Sequence, residues 1–137
     1  MNRHPYLRAY LAGICVPTIF LLFVATGFIF MRYVYNLPVP IERVIVFPMA
    51  AVPNLWGVWN ILFVSFLARR RFSIGLFGAF LPLLLAPLGF TVAHLLQFPI
   101  PPHVLAAAPV ALPVGMVLYY LVWKHLVGSL NAELGVA

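Results

Sequence analysis

The chain has 137 residues, of which 65% are hydrophobic and 7% charged, with a net charge of +6. A soluble domain carries roughly 25% charged residues, so eight basic and two acidic side chains cannot cover so apolar a core, and lipid is the expected solvent. The positive balance does not point to nucleic acid, because Lys and Arg stand at the ends of apolar runs rather than along a polar surface stripe.

A helix needs about 20 apolar residues to cross the hydrocarbon core of a bilayer. The first such run extends from Leu11 to Met31 and contains Cys15 and Pro17. Arg3 and Arg8 resemble the basic start of a signal peptide. The apolar stretch is too long for that, however, and no A-x-A-like cleavage site follows, so a retained span is expected. Cys15 is the single cysteine. It has no partner for a disulfide and no zinc-ligand spacing, and reads as a small buried hydrophobe. Tyr6 and Tyr10 before the run, and Tyr33 and Tyr35 after it, suit the headgroup level that amphipathic rings favour.

The second span runs from Val44 to Leu67 and contains Pro48 and Pro53. Between Asn54 and Asn60 it places Trp56 and Trp59 within the span rather than at its edge. Buried indole N–H groups need acceptors, and the flanking Asn side chains are the expected ones. The alternative use of the two rings is an aromatic wall for a ligand. Arg69, Arg70, Arg71, Phe72 and Ser73 then leave room only for a tight reversal.

The third span runs from Ile74 to Phe98 with Pro82 and Pro87. Gly75, Ala79, Pro82, Ala86, Gly89 and Ala93 recur at helical spacing on one face. Small residues let helix backbones approach closely, which predicts that this span is the packing centre of the bundle or an oligomer contact. Thr91, His94 and Gln97 repeat the spacing of Asn54, Gly57 and Asn60. At 1.5 Å per residue from the outer ends, Asn54 lies about 15 Å deep, Thr91 about 10 Å and His94 about 6 Å. The five polar side chains are expected to form a column between spans two and three. Its uses are hydrogen bonds bridging the helices or a path for a substrate or ion. His94 is also the candidate for a haem or quinone contact, but it lacks companions at ligand spacing, so no metal and no cofactor is expected.

After Pro99-Ile100-Pro101-Pro102-His103, the fourth span runs from Val104 to Trp123 with Pro109 and Pro113. Ala107, Ala111 and Gly115 form a shorter small-residue stripe. Trp123 closes the span beside Lys124 and His125, leaving Glu133 in a solvated tail. Kinks are expected where prolines interrupt these helices.

Six of the eight Lys and Arg residues (Arg3, Arg8, Arg69, Arg70, Arg71 and Lys124) fall on one side of an even-span topology, and Arg32 and Arg43 on the other. The asymmetry predicts that both termini face the cytoplasm, in a membrane of the bacterial cytoplasmic kind. Chemistry is poorly represented. The chain has no Asp, no HExxH, no GxSxG and no phosphate-binding glycine loop, and Glu42 beside Arg43 is the only carboxylate near the spans. The expectation is therefore an all-α polytopic membrane protein, a single domain over residues 1–137, built as a bundle of four transmembrane helices with proline kinks. It is expected to be non-enzymatic, a structural or accessory component whose partners are the lipid bilayer and a second copy or other membrane subunits. A small oligomeric channel or transporter and a haem- or quinone-binding subunit are the alternatives.

Overall fold

The computed structural model describes residues 4–136. Four helices are long and apolar enough to cross a membrane: α1 (Pro5–Tyr33), α2 (Ile41–Arg70), α3 (Ile74–Leu95) and α4 (Pro102–Glu133). No strand occurs among the described residues. The all-α, four-helix architecture therefore holds, with α1, α2 and α4 longer than their apolar runs. The helices alternate in direction, which brings the first and last segments together, and Arg8 Nη1 donates to the Leu134 carbonyl at 3.3 Å. We call this the basic end, because the Arg69–Arg71 turn shares it. The far end holds the links 34–40 and 96–101.

Proline removes a backbone donor and crowds the carbonyl four residues before it. The backbone responds in two ways. Around Pro48, α2 widens into a π-type turn at Ile45–Met49. Around Pro82, α3 breaks: its first segment ends at Ala79 and the second begins at Leu81. Pro82 then sits in a first turn, where the missing N–H would have had no intrahelical acceptor. The break is closed by tight i→i+3 bonds, Phe80 N–H to Phe77 O at 3.4 Å and Leu83 N–H to Phe80 O at 3.1 Å. Pro17, Pro53, Pro87, Pro109 and Pro113 remain inside helices.

The most intimate pairs are α1 with α2 and α3 with α4. Gly13 and Gly57 explain the first. A Cβ on Gly13 would lie 2.6 Å from the Trp56 carbonyl oxygen and 2.8 Å from the Gly57 Cα, and one on Gly57 would meet the Tyr10 ring at 2.5 Å. The two backbones therefore touch, which fixes the depth of one helix against the other. Ala9, Ala12, Gly13, Pro17, Leu21 and Ala25 are the buried residues of α1 and follow that contact along one face.

Trp56, Leu81, Leu85, Trp123 and Val127 form the core, where α2, α3 and the basic half of α4 meet. This revises the expectation that the third span is the packing centre within the bundle, and the placing of Trp123 at the end of the fourth span. First, α2 packs on all three other helices, whereas α3 lies to one side and scarcely touches α1. Second, Trp123 is not an edge marker: it is fully buried, and α4 continues to Glu133. Gly78 makes the recess for its ring, and a Cβ there would collide with the indole. The third helix is also shorter than its apolar run. It stops at Leu95, and Gln97 follows in a left-handed turn with φ 54°. The Phe98 N–H returns to the Ala93 carbonyl at 2.8 Å and closes the end.

Candidate functional site

The only polar side chains that are buried outright are Asn60 and Asn131 (among the described residues), both with no exposed surface. They form a reciprocal amide pair. Asn60 Nδ2 donates to Asn131 Oδ1 at 2.7 Å, and Asn131 Nδ2 donates to Asn60 Oδ1 at 2.9 Å. The second Asn60 N–H reaches the Ala9 carbonyl at 2.7 Å. One side chain thus ties α2 to α1 and α4 at once. The approach depends on Ala9 and Gly13, whose small side chains leave the α1 backbone uncovered. Asn131 lies beyond the expected end of the fourth span at Trp123, and it continues the face of Trp123 and Val127 at i, i+4 and i+8. All three have no exposed surface.

Above this pair stands an aromatic stack. Trp56 packs on Tyr119 and Trp123, with ring centroids at 5.0 Å and 5.2 Å. Trp59 stacks on Phe77 at 4.6 Å, and its Nε1 donates to the Phe77 carbonyl at 2.9 Å. The expected indole acceptors, Asn54 and Asn60, are not used. Asn54 instead accepts from the Tyr10 hydroxyl and donates to the Ala50 carbonyl at 2.8 Å. The two tryptophans therefore bind helices to each other, and Trp56 also lines a cleft.

The polar column between α2 and α3 does not assemble. Gly57 must face Gly13 of α1, and this turns Asn54 and Asn60, which flank it, away from α3. On α3, Thr91, His94 and Gln97 are all exposed. Thr91 Oγ1 donates to the Pro87 carbonyl of its own helix at 2.8 Å. Gln97 has left the helix altogether. No group of three or more His, Cys, Asp and Glu side chains fit to hold a metal occurs among the described residues.

The small-residue positions divide sharply. Gly75 is buried, and a Cβ there would stand 2.9 Å from the Tyr120 ring. Ala79, Ala86, Gly89 and Ala93 are half-buried. Gly89 faces Phe47, which a Cβ would meet at 3.3 Å. By contrast Ala107 and Ala111 are exposed, and a Cβ on Gly115 would find nothing within 4 Å.

Two of the concave surfaces among the described residues bear on function. A cleft of about 980 Å³ runs between α1 and α4, with Phe20, Phe23, Leu118 and Leu126 among its walls and Trp56 at its base. Cys15 is half-buried in its wall rather than in the core, and His125 and Ser129 stand at its basic end. Ser129 Oγ donates to the His125 carbonyl of its own helix at 2.5 Å. A smaller groove of about 400 Å³ lies at the far end between α2 and α3, with Arg43 at its rim. No protein-family model, curated protein or solved structure matches this chain.

Proposed function

We propose that the chain is a non-enzymatic component of a cytoplasmic membrane, embedded by its four helices with both termini in the cytoplasm, and that it presents the far half of α4 to a second transmembrane helix. The apolar exterior supports the embedding. Phe23, Leu95 and Val110 are 75%, 73% and 70% exposed, and each large apolar side chain removed from water contributes about 1.5–3 kcal/mol. The distribution of Lys and Arg supports the orientation.

One observation carries the functional reading. From Pro102 to Val122, α4 buries no residue; Ala107 and Ala111 lie exposed on that segment, and a Cβ on the half-buried Gly115 would meet nothing within 4 Å. A helix surface with small residues at i, i+4 and i+8 admits close approach of another helix, and in lipid close packing is the main source of association. A structural or accessory role follows, with a second copy as the first partner to test. With Cys15→Ser as background, Ala111→Cys should cross-link in native membranes, giving an adduct of twice the 15.3 kDa monomer or one with another membrane chain. Phe66→Cys, exposed near the Arg69–Arg71 turn at the basic end, should give none. If Ala111→Cys remains monomeric under conditions that cross-link a known membrane dimer, the reading is wrong.

A further inference from the structure

The groove at the far end has a charge that no carboxylate among the described residues neutralises. Arg43 is the third residue of α2, which in the membrane placement proposed above is where the span leaves the hydrocarbon. The one carboxylate nearby, Glu42, is held by Arg32 at 2.8 Å. Arg43 instead lies over the Phe98 ring, 5.9 Å from its centroid, and no carboxylate pairs with it among the described residues. The half-buried guanidinium stands at the open top of an otherwise apolar groove lined by Phe47, Leu85, Phe90 and Ala93.

The dimensions narrow the occupant. Leu85 marks the deep end of the groove and Leu95 the last residue of α3. The ten residues between them rise about 15 Å, half of the roughly 30 Å hydrocarbon core. The groove is thus about as long as one leaflet is deep. A cation at headgroup level above an apolar channel of that length is complementary to an anionic amphiphile.

We propose that the groove holds one acyl chain of an anionic phospholipid, whose phosphate is bound by Arg43. Arg donates to phosphate through a fork of N–H groups, and a basic side chain near the membrane surface favours anionic lipid about fivefold. Gly89 helps to keep the channel open, since a larger side chain there would press on Phe47. The proposal rests on the membrane placement given above.

Photo-cross-linking in nanodiscs tests it, using phosphatidylglycerol and phosphatidylcholine that carry the same mid-chain diazirine, with labelled residues mapped by mass spectrometry. Phosphatidylglycerol should label the Phe90–Ala93 segment about fivefold more than phosphatidylcholine does. Arg43→Gln should reduce that labelling to the phosphatidylcholine level while leaving labels near Arg69–Arg71 unchanged. Ala93→Leu should suppress labelling of the groove by both lipids. Inorganic phosphate in excess should not compete. Equal labelling by the two lipids in the unaltered protein, or an undiminished preference in Arg43→Gln, would overturn the proposal, and competition by free phosphate would remove the acyl chain from it. Labelling along the exposed faces of the helices reports membrane embedding independently of the groove.

Discussion

Two stripes of small residues share one period and meet opposite fates. On α1, Ala9, Gly13, Pro17 and Ala25 keep a four-residue period, with the larger Leu21 filling the one gap, and all five are buried. On α4, Ala107, Ala111 and Gly115 also recur every four residues, but the two alanines are exposed and a Cβ on Gly115 would meet nothing within 4 Å. The difference is in what faces them. Gly13 meets Gly57, a residue with no side chain of its own, and Asn60 reaches past Ala9 to the α1 carbonyl. Among the described residues, nothing lies within 4 Å of where a Cβ on Gly115 would stand. A small-residue period is thus a licence for close approach, and a partner must supply the matching surface and a polar contact that fixes register.

Substitution with one bulky side chain at each stripe gives the widest separation. Gly13→Leu must push α1 off the α2 backbone and should cost about 3 kcal/mol or more, the upper range for overpacking. Gly115→Leu should cost nothing in the isolated chain while weakening association in membranes. Reversible unfolding in mixed detergent micelles, followed by tryptophan fluorescence, measures the first effect. Equal losses at both positions would erase the distinction between the stripes.

A smaller effect is expected where polar groups fix register. Asn131→Leu leaves Asn60 buried with an unmatched donor and acceptor, at about 2 kcal/mol. Gly89→Leu should cost less, about 1 kcal/mol, because the Phe47 ring can yield towards the groove. The smallest change runs the other way. Gln97 holds a left-handed conformation that strains a residue with a Cβ, so Gln97→Gly should raise stability by about 1 kcal/mol. A loss at Gln97→Gly would mean that the side chain serves a contact beyond the turn.

Much of the fold was legible as run length. Four apolar segments with tight basic or proline-rich links are enough to give four antiparallel helices, because a bilayer demands a continuous helix of fixed minimum length. Lys124 and His125 looked like the exit of the fourth span, yet α4 continues beyond them. The Lys124 Nζ lies over the Tyr120 ring at 5.6 Å, its stem running past Gly75, as long basic side chains commonly do. The helix therefore proceeds, and Asn131 reaches Asn60. A signal for this was present in Trp123, Val127 and Asn131 at helical spacing.

The polar column failed for a different reason. The shared spacing of Asn54, Gly57 and Asn60 with Thr91, His94 and Gln97 described each helix correctly but said nothing of their relative rotation. That rotation is set by Gly13 against Gly57, a contact between residues 44 positions apart that no local pattern encodes. The bare face of α4 and the Arg43 groove are likewise properties of the assembled helices.

The most direct test is a double-mutant cycle on Asn60 and Asn131, using Asn60→Leu, Asn131→Leu and the pair together, read by reversible unfolding. If the amides are joined across α2 and α4, the double substitution should cost less than the sum of the singles by about 1 kcal/mol or more. Additive losses within about 0.3 kcal/mol would mean that Asn131 does not reach the core, and would contradict the arrangement of α4 on which this account depends.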